Sequence, residues 1–147
     1  LAYSTGSALG QGFDWPGLFY AFSISPAGET TTVLELLLAE MERLQTEPVG
    51  EEELENARQS ILNASLFRFA SPAEVAARTA RVRLLGLDED YYERYIENLQ
   101  EIGAQGVMEA ASGELHPERA VILVVGDSEQ FTRPLDELGE VITIELE

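Results

Sequence analysis

Hydrophobic residues alternate with polar or small ones in two stretches near the start of the chain. In Leu1-Ala2-Tyr3-Ser4-Thr5-Gly6-Ser7-Ala8-Leu9, one face carries Leu1, Tyr3, Thr5, Ser7 and Leu9; the other carries only Ala2, Ser4, Gly6 and Ala8. A period of two predicts a strand. Its small-residue face admits something close to the backbone, either a packed helix or a bound peptide. Tyr3 is the large, hydrogen-bonding side chain of the opposite face. The connection from Gly10 to Gly17 is turn-rich, with Phe13 and Trp15 as apolar anchors. Leu18–Ser25 then alternates again, with Leu18, Tyr20, Phe22 and Ile24 on one face, and predicts a second strand antiparallel to the first.

After Pro26 the apolar spacing changes to three and four. Val33, Leu34, Leu37, Leu38, Met41 and Leu44 predict a helix within Thr30–Gln45, with Thr32 and Glu35 placed for a capping box. Gly50 and the carboxylates Glu51, Glu52 and Glu53 start another helix, which turns Leu54, Ala57, Ile61, Leu62 and Ala64 inward and runs to about Ala70. Ser71-Pro72-Ala73-Glu74 reads as a cap, a first-turn proline and a third-position acid, with Gly86 as the stop. Asp88 caps a helix carrying Tyr91, Tyr92, Tyr95, Ile96 and Leu99, and a short helix within Gln105–Ser112 ends at Gly113. The unbroken run Ala120–Val125 predicts a strand buried on both faces, closed by Gly126-Asp127. A short helix over Phe131–Leu138 and a last strand over Val141–Leu146 complete the pattern. Strands, a block of helices, then strands again predict one α+β domain over residues 1–147. Its expected form is two-layered, with a mixed or antiparallel sheet covered on one face by helices. The chain opens on Leu1 rather than Met, which reads as an excerpt of a longer protein. A sheet clipped there presents an edge that could pair two copies as a homodimer.

Charge narrows the partners. Twenty-seven acidic residues against nine basic ones, all nine Arg, give a net charge of -18. Phosphate recognition needs clustered cations, so nucleic acid and anionic membrane are disfavoured. No apolar run approaches the roughly 20 residues that span a bilayer. The compartment is left open, periplasm or cytoplasm.

Chemistry is sparse. There is no Cys, and His116 is the only His, in a loop before Pro117. A hydrolytic zinc site takes three protein ligands, commonly with His among them, so no metal site is expected in this chain. Serine triads fail on the missing Gly-x-Ser-x-Gly elbow and the isolated His. Gly10-Gln11-Gly12 and Gly126-Asp127 lack the context of a phosphate loop, and Asn63-Ala64-Ser65 matches a glycosylation pattern in mid-helix. The carboxylates Glu51, Glu52 and Glu53 are explained by their helix N-terminus. On its own residues the chain is not an enzyme, and no catalytic residue is assigned.

Several motifs nevertheless share an order with one family. Leu1-Ala2-Tyr3-Ser4 before a small-residue strand resembles the Gly-Leu-Ala-Tyr-Ser segment in the second half of pitrilysin/insulinase-type zinc metallopeptidases. Glu51-Glu52-Glu53-Leu54-Glu55-Asn56-Ala57-Arg58 resembles their acidic helix start, and Val121–Gly126 the hydrophobic strand that closes each half. Gly103-Ala104-Gln105-Gly106 departs from the Thr-containing pattern usual after the fourth helix.

The resemblance implies a LuxS/mitochondrial-processing-peptidase-like half. Nothing here matches the zinc-binding His-x-x-Glu-His of the catalytic half. The chain would then be the non-catalytic half, closing over a peptide substrate while zinc sits on a homologous half in the same or a separate chain. By the same resemblance Tyr3 takes the position of a Tyr that binds the substrate backbone beside the scissile bond; its Arg partner would fall before residue 1. The alternative is an inactive structural or peptide-binding homologue with no peptidase role. Substrate choice is not legible.

Overall fold

The computed structural model of this chain describes residues 1–10, 12, 16–67 and 69–144. Among them are five α-helices and one two-stranded antiparallel sheet, an α+β composition. The chain divides into two compact units. One joins Leu1–Arg43 to Glu114–Glu147; the other is the continuous stretch Leu44–Gly113 between them in sequence.

In the first unit, β1 (Ser4–Leu9) pairs antiparallel with β2 (Phe19–Ile24), in the register Ser4 to Ile24 through Leu9 to Phe19. Backbone bonds from Tyr3 N to Ile24 O (2.7 Å) and from Gly10 N to Leu18 O (2.8 Å) lengthen the ladder at both ends. Cross-strand partners share a face, so the small face of β1 meets the large face of β2. Gly6 lies opposite Phe22, whose ring takes the space above it: a Cβ on Gly6 would come within 2.9 Å of a Phe22 ring carbon. That ring covers the small-residue face at this position. At the hairpin mouth a Cβ on Gly17 would stand 2.1 Å from the Gly10 carbonyl oxygen, so only Gly fits there. The expected anchors Phe13 and Trp15 lie outside the described residues. On β2, Leu18, Tyr20, Phe22 and Ile24 are exposed while Phe19, Ala21 and Ser23 are half-buried.

A 3-10 turn, Ala27–Glu29, leads into α1 (Thr30–Thr46). The proposed capping box does not form. Thr30 Oγ1 instead donates to Ala27 O (2.8 Å), and Glu35 accepts from Arg133, far along the chain (2.7 and 2.8 Å). Buried Thr31 donates to Arg133 O (3.0 Å), and Thr132 Oγ1 donates to Gly28 O (2.5 Å). These bonds hold the segment around Thr132 and Arg133 against the start of α1. The predicted helix over Phe131–Leu138 is a single 3-10 turn, Leu135–Glu137.

The largest departures are at the predicted late strands. Ala120–Val125 belongs to no strand, and Val121, Leu123 and Val125 are 97%, 80% and 83% exposed rather than buried. An apolar run becomes a strand only where neighbours complete its main-chain hydrogen bonds, and among the described residues neither β1 nor β2 pairs with it. Val141–Ile144 likewise lies outside any strand, and 145–147 are outside the described residues.

The second unit is helical: α2 (Glu51–Phe67), α3 (Pro72–Leu84), α4 (Tyr91–Glu101) and α5 (Ala104–Glu114), whose last residue already belongs to the first unit. Along α2, Leu54, Ile61 and Leu62 are half-buried, but Ala57 and Ala64 are exposed. Ser71 caps α3 as expected: its Oγ accepts from Glu74 N (3.3 Å) and donates to the Glu74 carboxylate (2.9 Å). Gly86, at φ 64°, turns the chain after α3. Asp88 makes no side-chain cap; its carboxylate takes Arg94, which also reaches Asp90 (3.0 Å), the residue at the N-cap position. Gly113 does not stop α5, which runs one residue further. Arg58, on α2, donates to the carbonyls of Leu99 (3.3 Å) and Ile102 (2.7 Å) at the C-terminus of α4. Arg78 lies over the rings of Phe69 and Tyr92, which meet edge to face at 5.5 Å. Among the described residues no helix is long and apolar enough to cross a membrane.

Candidate functional site

Tyr3 stands immediately before β1. Its backbone is fixed by the bond to Ile24 O, while its side chain is 78% exposed. The residue is therefore held at one end of the hairpin with its phenol open to solvent. The same-face neighbours Leu1 and Thr5 are also exposed, so no packing against them buries the ring.

A second feature lies elsewhere in the first unit. An open groove of about 870 Å³ runs between β2, the Val33, Leu34, Leu37, Leu38 and Met41 side of α1, and the segment from Glu114 to Gly126. The helical spacing that marked those α1 residues as apolar thus lines the groove. Its acidic and basic side chains are Glu114, His116 and Arg119. Glu118 lies beside the last two, with His116 Nδ1 and Arg119 Nε each 3.5 Å from Glu118 Oε1. His116 sits in a loop, as its neighbouring Pro117 predicted. Tyr3 is not part of the groove wall, so the structure does not bring the sequence-predicted residue and this cavity together.

Among the described residues no group of three or more His, Cys, Asp or Glu side chains is arranged to hold a metal ion. The perturbed carboxylates are structural. Arg133 hydrogen-bonds Glu35 and holds it below the ordinary carboxylate range. Glu55 is lowered first by the Gln59 amide and then by Arg58. The Arg94 guanidinium is raised, chiefly by its bond to Asp88. Sequence reasoning missed Arg133 and the role of Arg58. Arg133 lies 98 residues from Glu35, so no local spacing signals the pair. Arg58 was visible as the last residue of the acidic helix start, but its carbonyl partners were not. The arrangement offers an exposed phenol on a fixed backbone and, separately, an apolar channel beside a sheet.

The chain matches no family model, no curated protein and no solved structure.

Proposed function

We propose that the chain is the non-catalytic, substrate-closing half of a zinc metalloendopeptidase. The observation that carries this reading is Tyr3, pinned through its backbone to β2 and presenting its phenol to solvent. The order of antiparallel hairpin, helices and a hydrophobic segment ending at Gly126 supports it. In this reading the architecture is two-layered, with a mixed or antiparallel sheet covered on one face by helices. In this reading the zinc ligands belong to the homologous half; among the described residues no group of three or more His, Cys, Asp or Glu is arranged to hold a metal ion.

The role left to this chain is positional. The Tyr3 O–H donates to a peptide carbonyl beside the scissile bond, where a fixed donor gains strength as negative charge develops on that oxygen. In the protein that carries both halves, Tyr3→Phe lowers turnover roughly ten- to a thousandfold, the range for one such donor, with an unchanged circular dichroism spectrum. Unchanged turnover would sink the reading. The apolar groove favours a second one, a peptide-binding homologue with no peptidase role, because a chain could be held there without any zinc half. It predicts peptide binding that survives metal chelation and no proteolysis with any partner half.

A further inference from the structure

The groove of the first unit has the attributes of a gap in a sheet. One wall is β2, six residues long and paired with β1 along one edge; among the described residues no strand lies on its other edge. The other wall is the apolar run Val121-Ile122-Leu123-Val124-Val125, β-branched except at Leu123 and entered through Ala120 in extended conformation (φ -63°, ψ 137°). These two apolar stretches of matching length border one cavity without a ladder between them. The floor is the apolar stripe of α1. Val121, Leu123 and Val125, 80–97% exposed in a β-prone run, lack the neighbour that their composition is suited to meet.

We propose that this groove is a strand-acceptor slot. Its occupant is one extended peptide segment of five or six residues, uncharged and rich in β-branched apolar side chains, matching the six residues of β2. It adds to the outer edge of β2 through main-chain hydrogen bonds, continuing the β1–β2 sheet, while its side chains cover α1 on one face. Charge decides the occupant's class. The net charge of -18 would suggest a basic ligand, but among the described residues the groove wall carries only Glu114, His116 and Arg119 as acid and base, with Glu118 already beside the latter two. An apolar strand fits this wall, and a polybasic one does not. The slot rests on the peptide-binding reading above and is independent of Tyr3 and of the peptidase reading.

The test is fluorescence anisotropy with a fluorescein-labelled, end-capped Thr-Val-Ile-Val-Thr-Val peptide, compared with the same peptide N-methylated at alternate amides. Methylation keeps the apolar side chains and removes the main-chain donors that strand addition needs. Saturable binding in the range of about 1–100 µM is expected. Methylation should weaken it about tenfold or more, as loss of two or three hydrogen bonds predicts. Leu123→Asp should weaken it similarly without unfolding, since Leu123 is 80% exposed. Equal binding of both peptides, or no saturation by about 1 mM, overturns the proposal. So does a dimer in sedimentation equilibrium that Leu123→Asp disperses while the peptide stays unbound, because the slot would then belong to a second copy.

Discussion

Arg58 reaches across from α2 and closes the end of α4 with two main-chain hydrogen bonds. Those carbonyls have no partner within their own helix, so the guanidinium supplies what the helix end lacks. Arg58→Ala should lower unfolding stability by roughly 1–3 kcal/mol in urea titrations followed at 222 nm. Arg58→Lys should recover only part, since an ammonium lacks the planar fork that spans two carbonyls. Glu35 makes a different prediction. Arg133 holds its folded pKa below the ordinary 4.5. A carboxylate lowered in this way stabilises the fold fully above its unfolded value, and the contribution is lost as pH falls through the folded value. The melting-temperature gap between the native chain and Glu35→Gln should therefore be constant near pH 6 and close below about pH 4.5. A gap that widens on acidification contradicts the assignment. Neither role was legible in the sequence, because both depend on partners tens of residues away.

Helix ends, in contrast, were legible in part. Ser71, Pro72 and Glu74 write the start of α3 within four residues, and the structure uses all three. Ser71→Ala should cost about 1 kcal/mol, measured by the same urea titration. No effect would mean that packing alone holds the helix start. Asp88 does not act as the cap, because Arg94 takes its carboxylate and also reaches Asp90, which stands at the N-cap position. Alternation identified the hairpin and its antiparallel sense, yet not which face of β2 would be covered. Gly6 explains part of this: the Phe22 ring folds across onto it, so that face is occupied from within the sheet. For Ala120–Val125 the composition is that of a strand, but composition cannot supply a neighbour. The site was legible to the extent of Tyr3 at the head of β1; the groove is a product of distant segments and had no local signature.

At the scale of the whole molecule, α+β composition followed from period alone, whereas the division into two units did not, because hydrophobic spacing is blind to which distant segments meet. The two units also differ in sequence reach. The Arg58–Ile102 bond spans 44 residues, and the Thr31–Arg133 bond spans 102. Closing the longer loop costs only about 0.7 kcal/mol more in chain entropy, so stability is little affected. Time is affected more. During synthesis every residue of Leu44–Gly113 exists before Glu114 and its successors do, so the helical unit can fold while the hairpin and α1 still await Arg133. Refolding in stopped-flow experiments should show two phases, with Arg58→Ala perturbing the faster and Glu35→Gln the slower. A single phase shifted equally by both would show that the chain folds as one cooperative body. In the two-phase case, the bond from Thr31 to Arg133 acts as a clock: the start of α1 stays unanchored on the ribosome until the segment around Arg133 has been made.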